Sequence, residues 1–557
     1  MKLPEIRVLI SGFGGLSNAE PGTAVARSLK LGWKGKITID AMGYDPWITG
    51  ALSPGLIDHI HIIPPLVEGD GAMLERIQEI HEKRKINILI ATLDLEIPVF
   101  SRLSPYLHRL GIKTLLPLPE ACMAISKSAL SSFCLYHAIK TPQAINVPDI
   151  HNVPYYANQL GYPLFVKGSV AGAYEATNDV EALFFAKKLN EKWGGGAILQ
   201  EKIEGDEYDA ALIARRNGSC LGYVACRKLG RNKLGKGIVG AVIDNPKFKQ
   251  SCLNILRSLN WQGALELEFI FDQSTKEYLI LEINPRFPAW ILLSCFAGNN
   301  LPVLMVKEIL GLKPKSRYCC QNGTSFCRDI EETTTRYQHI EELHRKGTVA
   351  TVPPLKTRQK HSKLALKVAT TGINAFDEVM PGAGIARALQ LSPEVSGIYG
   401  LAYGPYDTGI YRKDLINGAF LIPEKSTQEE FIAVITKIKH KTDIDAIIPC
   451  IDSEIPLWID SDEILKSLGI ATLLPSRQAF DRAVNLKLPI HKFNNHSNLL
   501  YEPLSFNATS PSGITRAANN LGFPLVIKAS LPYKKAPIVL YSKSQIISTW
   551  GLLKSSA

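Results

Sequence analysis

A chain of 557 residues exceeds one ordinary hydrophobic core and calls for several domains. Its 46% hydrophobic and 21% charged residues exclude a disordered or fibrous protein, and its net charge of +11 is scattered, without the basic helix or aromatic-plus-basic stripe of a nucleic-acid binder. The longest apolar stretches, such as residues 289–297, are about half of what a membrane span requires, so a cytoplasmic protein is expected.

The first predicted element is a strand over Ile6 to Ile10, ending in the turn Ser11-Gly-Phe-Gly-Gly15. Gly12, Gly14 and Gly15 do not have dinucleotide-site spacing, and only Asp40 is placed to end the next strand as such a site requires. Strands then alternate with amphipathic helical stretches, the pattern of a doubly wound parallel sheet. Farther on, an apolar strand ends in Lys167 and leads into Gly168-Ser-Val-Ala-Gly-Ala-Tyr174, a loop of small residues whose only glycines are Gly168 and Gly172. A basic run from Arg227 to Gly237 reads as a mobile loop or a solvated charge run. The ten cysteines contain no Cys-x-x-Cys pair and read as reduced, with Cys319, Cys320 and Cys327 on a surface loop rather than at zinc.

Two strands follow, Gly263 to Phe271 and Tyr278 to Arg286. Because strand side chains alternate, Glu266 and Glu268 share one face while Leu265, Leu267, Phe269 and Phe271 take the other. In the second strand Glu282, Asn284 and Arg286 share a face, backed by Leu281, Ile283 and Pro285. Three carboxylates, an amide and a guanidinium on one surface are costly in water-poor surroundings unless a cation and an anion join them, and a magnesium nucleotide supplies both. The aromatic pair in Pro285-Arg-Phe-Pro-Ala-Trp290 either shapes an acceptor pocket or packs in the core.

Comparison of the two halves reveals a duplication. Ala91-Thr-Leu-Asp-Leu-Glu-Ile-Pro98 returns as Pro449-Cys-Ile-Asp-Ser-Glu-Ile-Pro456, and Leu110-Gly-Ile-Lys-Thr-Leu-Leu-Pro117 as Leu468-Gly-Ile-Ala-Thr-Leu-Leu-Pro475, both 358 positions on. Leu160-Gly-Tyr-Pro-Leu-Phe-Val-Lys167 returns as Leu521-Gly-Phe-Pro-Leu-Val-Ile-Lys528. The second copy opens on a strand from Leu364 to Ala369 and has only 29 residues after Lys528, so no counterpart of Glu268, Glu282 and Asn284 follows. Either the chain continues in a longer protein, or its tail pairs with the first copy or with a partner. Residues 313–362, rich in Lys, Thr and Pro, read as a linker with a short helix around Ile340 to Arg345.

In their order, these elements resemble the ATP-grasp superfamily, and within it the carbamoyl-phosphate synthase large-subunit-like branch. The resemblance implies an α/β and α+β multidomain chain. Residues 1–118 would form a pre-ATP-grasp domain with a doubly wound parallel sheet, and 119–312 a two-lobed ATP-grasp domain. After the linker, 363–477 would be a second pre-ATP-grasp domain and 478–557 an incomplete ATP-grasp lobe. Lys127 and Lys167 match the family's phosphate-facing bases, with Gly168 and Gly172 in its phosphate-covering loop. The backbone from Glu201 through Lys202 to Ile203 would meet the adenine edge, and Glu207 the ribose hydroxyls. Glu268 and Glu282 match the nucleotide-binding, metal-bridging acids, Asn284 the third metal ligand and Arg286 the residue that holds the transferring phosphate; Glu266 lies off the family pattern.

The resemblance further implies an enzyme that forms a carbon–nitrogen bond. ATP with Mg2+ or Mn2+ would phosphorylate a carboxylate, and an amine would attack the acyl phosphate. Arg286 and Lys167 would be the catalytic residues, and the partners would be small-molecule carboxylates and amines, with self-association open. The alternative is a non-catalytic nucleotide-binding scaffold of the same fold. Carbamoyl-phosphate synthesis itself fits less well, since the chain has one complete half rather than two.

Overall fold

In the computed structural model, the described residues are 3–14, 20–232, 235–316, 318, 320–328, 337–351, 365–374, 380–424, 426–484, 506, 508–527, 538–547 and 550. Gly15, Cys319, Lys528 and part of the expected linker lie outside them. Internal contacts divide the chain into two compact units, residues 1–474 and 475–557.

Within the first unit, strands β1 (Ile6–Ile10), β2 (Ile37–Gly43), β3 (His59–Ile62) and β4 (Ile88–Ile90) form a parallel sheet in the order β3-β2-β1-β4. The central strand IRVLI is buried almost throughout, as a parallel strand covered on both faces must be. Helix Pro21–Gly32 approaches the end of β1 so closely that a Cβ at Gly22 would collide with the Ser11 carbonyl. Asp40, the one acid compatible with a dinucleotide site, is instead fully buried in β2 and held by Arg84 (2.7 Å) and His61 (3.0 Å).

The next four strands, β5 (Ala144–Val147), β6 (Leu164–Lys167), β7 (Ala173–Ala176) and β8 (Ala197–Glu201), form an antiparallel sheet in the order β5-β8-β6-β7. A larger antiparallel sheet comprises β9 (Gly205–Ala214), β10 (Cys220–Arg231), β11 (Gly237–Val242), β12 (Gly263–Asp272), β13 (Glu277–Asn284) and β14 (Ser325–Cys327), ordered β13-β12-β9-β10-β11-β14. Leu265, Leu267 and Phe269 of β12 enter the core, as their alternation requires. In β13 the alternation is broken: Tyr278 and Ile280 are buried on one side of a register shift and Ile283 on the other. That irregularity lies opposite Glu268/Phe269, so Glu268 pairs with Glu282 while Phe269 pairs with Ile280. Arg286 lies just beyond β13 rather than on it.

Part of the expected linker is structured. Helix Tyr337–Lys346 contains the short helix foreseen, and β15 (Thr348–Ala350) adds to the first sheet antiparallel to β3, covering its edge. The second copy repeats the first. Its strands β16 (Leu366–Thr370), β17 (Val395–Ala402), β18 (Gly418–Leu421) and β19 (Ala446–Ile448) are parallel in the order β18-β17-β16-β19. A buried carboxylate recurs with it: Glu96 accepts from Ser11 and Tyr44, and Glu454 from Thr371 and Tyr403. Such matched side-chain tethers make the duplication structural as well as sequential.

The second unit contains helix Arg477–Val484, and helix Pro511–Leu521 with the hairpin of β20 (Leu525–Ile527) and β21 (Ile538–Leu540), which pack around Ile514, Ala518 and Leu525. Mixed α/β architecture with parallel and antiparallel sheets thus holds throughout. Among the described residues no disulfide forms, and no helix is long and apolar enough to cross a membrane.

Candidate active site

The site lies on one face of the larger antiparallel sheet. Register pairs Asp209 with Glu268 and Glu268 with Glu282, so three acids stand side by side on β9, β12 and β13. Directly opposed side chains in such a ladder are roughly 5 Å apart, and like charges there repel unless cations separate them. Glu207 and Glu266 lie one step along the same face, in β9 and β12.

Lys228 on β10 meets this group from the side. Its ammonium lies 2.9 Å from Glu268, 3.1 Å from Asp209 and 3.2 Å from Glu207, with its side chain only 4% exposed. Burial opposes its charge, but the three carboxylates, Asp209 foremost, outweigh that and keep it a cation. Part of the basic run is therefore strand, Arg227 to Arg231 in β10 and Gly237 in β11, and Lys228 points into the acids because strand alternation sends it there. Sequence reasoning left this lysine in a charge run, and its only signal was an unbroken strand pattern from Cys220 onward.

Glu282 receives Lys127 at 3.2 Å. Burial works against ionisation of Glu282 and Glu268, yet Lys127 beside the first and Lys228 beside the second hold both carboxyls below their usual range. Asp209 and Glu266 go the other way, raised because burial dominates. Asn284 ties the acids together by donating to Glu266 (3.1 Å) and Glu268 (3.0 Å). Arg286 clamps Glu266 and reaches Asp94 at 3.3 Å, after β4. Glu266, whose role the sequence left open, thus anchors Arg286.

Phe287 and Trp290 are buried in the core. The Trp290 indole donates to Glu266 at 3.2 Å, so of the two expectations for this pair, packing prevails. A defined cavity lies elsewhere, at the carboxyl ends of β1 and β2: about 200 Å³, lined in part by Phe13, Tyr44, Asp45, Trp47 and Leu93. Leu93 adjoins Asp94, the partner of Arg286. The turn after β1 that stood out in the sequence, with Gly12 and Gly14, lines it as well.

On the opposing small sheet, Lys167 ends β6 and the turn Gly168–Gly172 leads into β7, with Gly168 N–H donating to Gly172 O (3.0 Å). Gly172 has φ +92°, a conformation that favours glycine. The Lys167 side chain makes no ion pair or hydrogen bond among the described residues, and burial pushes its pKa down. Between the sheets, Glu201 N–H donates to Gln143 O (2.9 Å), and its carboxylate accepts from Gln143 N–H (2.6 Å). Lys202 pairs with Glu175 (2.9 Å) and Glu204 (3.0 Å), Ile203 lies in the segment joining β8 to β9, and Glu207 binds Lys228 and Arg231.

Comparison with known proteins bears on this arrangement. A family model described as ATP-grasp in the biosynthetic pathway with Ter operon matches residues 196–331, which contain every acid of the site. The chain is 23% identical over 157 residues to the carbamoyl phosphate synthase large chain of Clostridium botulinum (strain Loch Maree / Type A3), covering 25% of this chain and 14% of that protein. It is 30% identical over 115 residues to the D-alanine–D-alanine ligase of Clostridium botulinum (strain Hall), covering 20% of this chain and 37% of the ligase. These matches, which reach at most 25% of the chain, support an ATP-grasp superfamily member. Among solved structures, it is similar to the biotin carboxylase domain of Hydrogenobacter thermophilus 2-oxoglutarate carboxylase, with a TM-score of 0.45 and 17% identity over 58% of this chain and 74% of that one.

Proposed function

We propose that the chain is an ATP-dependent carboxylate–amine ligase whose first copy holds Mg-ATP and works through an acyl phosphate. The observation that carries this is a charge arrangement. A row of acids in which no described side chain contacts both Glu268 and Glu282, though the charge of Lys236 acts on each, stands with Lys127, Arg286 and the unpaired ammonium of Lys167. Such a site suits a divalent cation together with a polyanion.

The donor set fits magnesium. Among the described residues no three His, Cys, Asp or Glu form a closed metal cage, and Mg2+ typically takes one or two carboxylates together with phosphate oxygens. Glu268, Glu282 and Asn284 would hold it, and it would neutralise charge on the phosphates. Lys127 and Lys167 would neutralise phosphate oxygens from the other side, with the Gly168–Gly172 turn covering them. The backbone of residues 201–203 would meet the adenine edge, and Glu207 the ribose. A carboxylate oxygen of the substrate attacks the terminal phosphorus and ADP leaves. The amine then attacks the acyl carbon, inorganic phosphate departs, and the surplus amine proton passes to solvent. Arg286 would stabilise the phosphoryl group in both steps. The cavity beside Asp94 is the natural place for the acyl or amine substrate.

In this reading residues 1–118 and 119–312 are the pre-ATP-grasp and ATP-grasp domains of the working copy, 313–362 join the copies, and 363–477 and 478–557 repeat the fold without the acid row. The chain spans only 14% of the carbamoyl phosphate synthase large chain it matches, so that enzyme's complete activity is not carried over. The test is ADP release from ATP with panels of carboxylates and amines, expected in the native chain and lost in Glu282→Ala. Tight ATP binding without release across a broad panel would point to the scaffold instead.

A further inference from the structure

A strand that runs through a glycine turn into a helix N-terminus is a backbone cradle for anions, and β1 with helix Pro21–Gly32 has that layout. Here the chain has placed its own carboxylate in the cradle. Glu20, the residue before the helix, does not cap it; the side chain turns back and accepts from Gly14 N–H at 2.6 Å. It lies so close over the turn that a Cβ at Gly14 would come within 3.0 Å of the carboxylate. Glu20 lines the cavity of about 200 Å³, and the described wall adds Asp45 and Glu96 but no basic side chain. We propose, resting on the ligase reading above, that this cavity takes the amine substrate as its ammonium and excludes the carboxylate substrate.

Three observations carry the assignment. The first is charge: among the described residues neither Glu20 nor Asp45 pairs with a base. Burial pushes the Glu20 carboxyl up and the charge of Asp45 adds to that, so a cation between them relieves both, whereas a substrate carboxylate would be a third like charge. The second is the duplication. Counted from the matched helix starts Pro21 and Pro381, Met380 stands where Glu20 does, and in Tyr403-Gly-Pro405, matching Tyr44-Asp-Pro46, Gly404 stands where Asp45 does. Asp407 of the second loop is engaged by Tyr403 N–H (2.8 Å) and Gly404 N–H (3.3 Å). The fold therefore keeps the Glu96 tether, repeated as Glu454, but does not need the two cavity acids, which accompany the copy with the acid row. The third is position. Leu93 of the wall adjoins Asp94, which Arg286 reaches at 3.3 Å, so an amine here stands beside the group proposed to hold the acyl phosphate. Phe13, Tyr44 and Trp47 suit the hydrocarbon of a small amine, and aromatic rings attract cations. The bound ammonium becomes the nucleophile by losing one proton to solvent, and the surplus proton leaves during the attack already described.

Propylamine and propionate, similar in size and opposite in charge at neutral pH, test this without reference to turnover. Saturation-transfer NMR follows each on the full chain with AMPPNP and Mg2+, and calorimetry measures AMPPNP binding separately. The native chain should bind propylamine, and propionate should not displace it. Glu20→Met/Asp45→Gly, which gives the cavity the residues of the second copy, should weaken propylamine about tenfold or more, the worth of a charge-assisted contact, and leave AMPPNP affinity unchanged. Asp45→Asn, at an exposed position, should weaken it about threefold and serves if the double variant does not fold. Displacement by propionate overturns the inference, as does a folded double variant, or in its place Asp45→Asn, that binds propylamine as the native chain does. AMPPNP binding without propylamine binding overturns the inference alone. Failure to bind AMPPNP overturns the ligase reading on which it rests.

Discussion

Replacing Arg286 by methionine keeps most of its hydrocarbon packing but removes the guanidinium that clamps Glu266. The Glu266 side chain is 6% exposed and that of Arg286 is 11%, so the pair is buried, and breaking such a pair from one side costs about 3–5 kcal/mol. Glu266 would keep two neutral donors, Asn284 at 3.1 Å and Trp290 at 3.2 Å, which argues for the lower end, about 3 kcal/mol. In a Glu266→Gln background no buried charge is stranded. The same replacement then loses mainly the contact to Asp94, whose side chain is 50% exposed, for about 1 kcal/mol or less. The expected coupling between the two sites is therefore about 2 kcal/mol. Urea unfolding followed by tryptophan fluorescence reads it, since Trp290 touches Glu266 and Trp261 is fully buried nearby, bonded to Ala264 O at the start of β12. Turnover should not return in the double variant, because its proposed role at the phosphate is gone. A cost below about 1 kcal/mol for Arg286→Met alone, or a cost equal in both backgrounds, would refute the reasoning.

Two further outcomes follow from the charges. Burial pushes the Glu96 carboxyl up to about 7, so between its ordinary 4.5 and that value the folded chain holds a proton that the unfolded chain has lost. This term therefore favours folding at acid pH and is lost as pH rises through the window, by about 3 kcal/mol in all. The stability of the native chain minus that of Glu96→Gln should fall by that amount from pH 4.5 to 7.5 in urea titrations, and a flat difference would count against a buried, proton-holding Glu96. Lys127→Met should weaken nucleotide binding about 10- to 100-fold by calorimetry, the worth of one charge-assisted hydrogen bond, and a change under about twofold would remove Lys127 from the phosphate site.

Sequence by itself went far where local periodicity is decisive. Alternation along β12 fixed Glu266 and Glu268 on the face opposite Leu265 and Leu267, and no neighbour could reverse that without burying charge in the core. The paired motifs around Asp94 and Asp452 exposed the duplication, which the repeated strand order and the recurring Glu96 and Glu454 tethers bear out. Tertiary structure decided what depends on register and on which strands adjoin. The shift beside Glu268, which reverses the alternation of β13 and still sets Glu282 opposite Glu268, is a property of two strands together. Burial of Asp40 and Glu96 likewise depends on partners 44 and 85 positions away, Arg84 and Ser11 respectively. Lys228 shows the limit most clearly. In the sequence it is one of several bases in a charged run, and only the placement of β10 beside β9, two strands from β13, makes it the cation of an acid row whose members span 73 positions from Asp209 to Glu282. Nothing within a window of neighbouring residues encodes that distance.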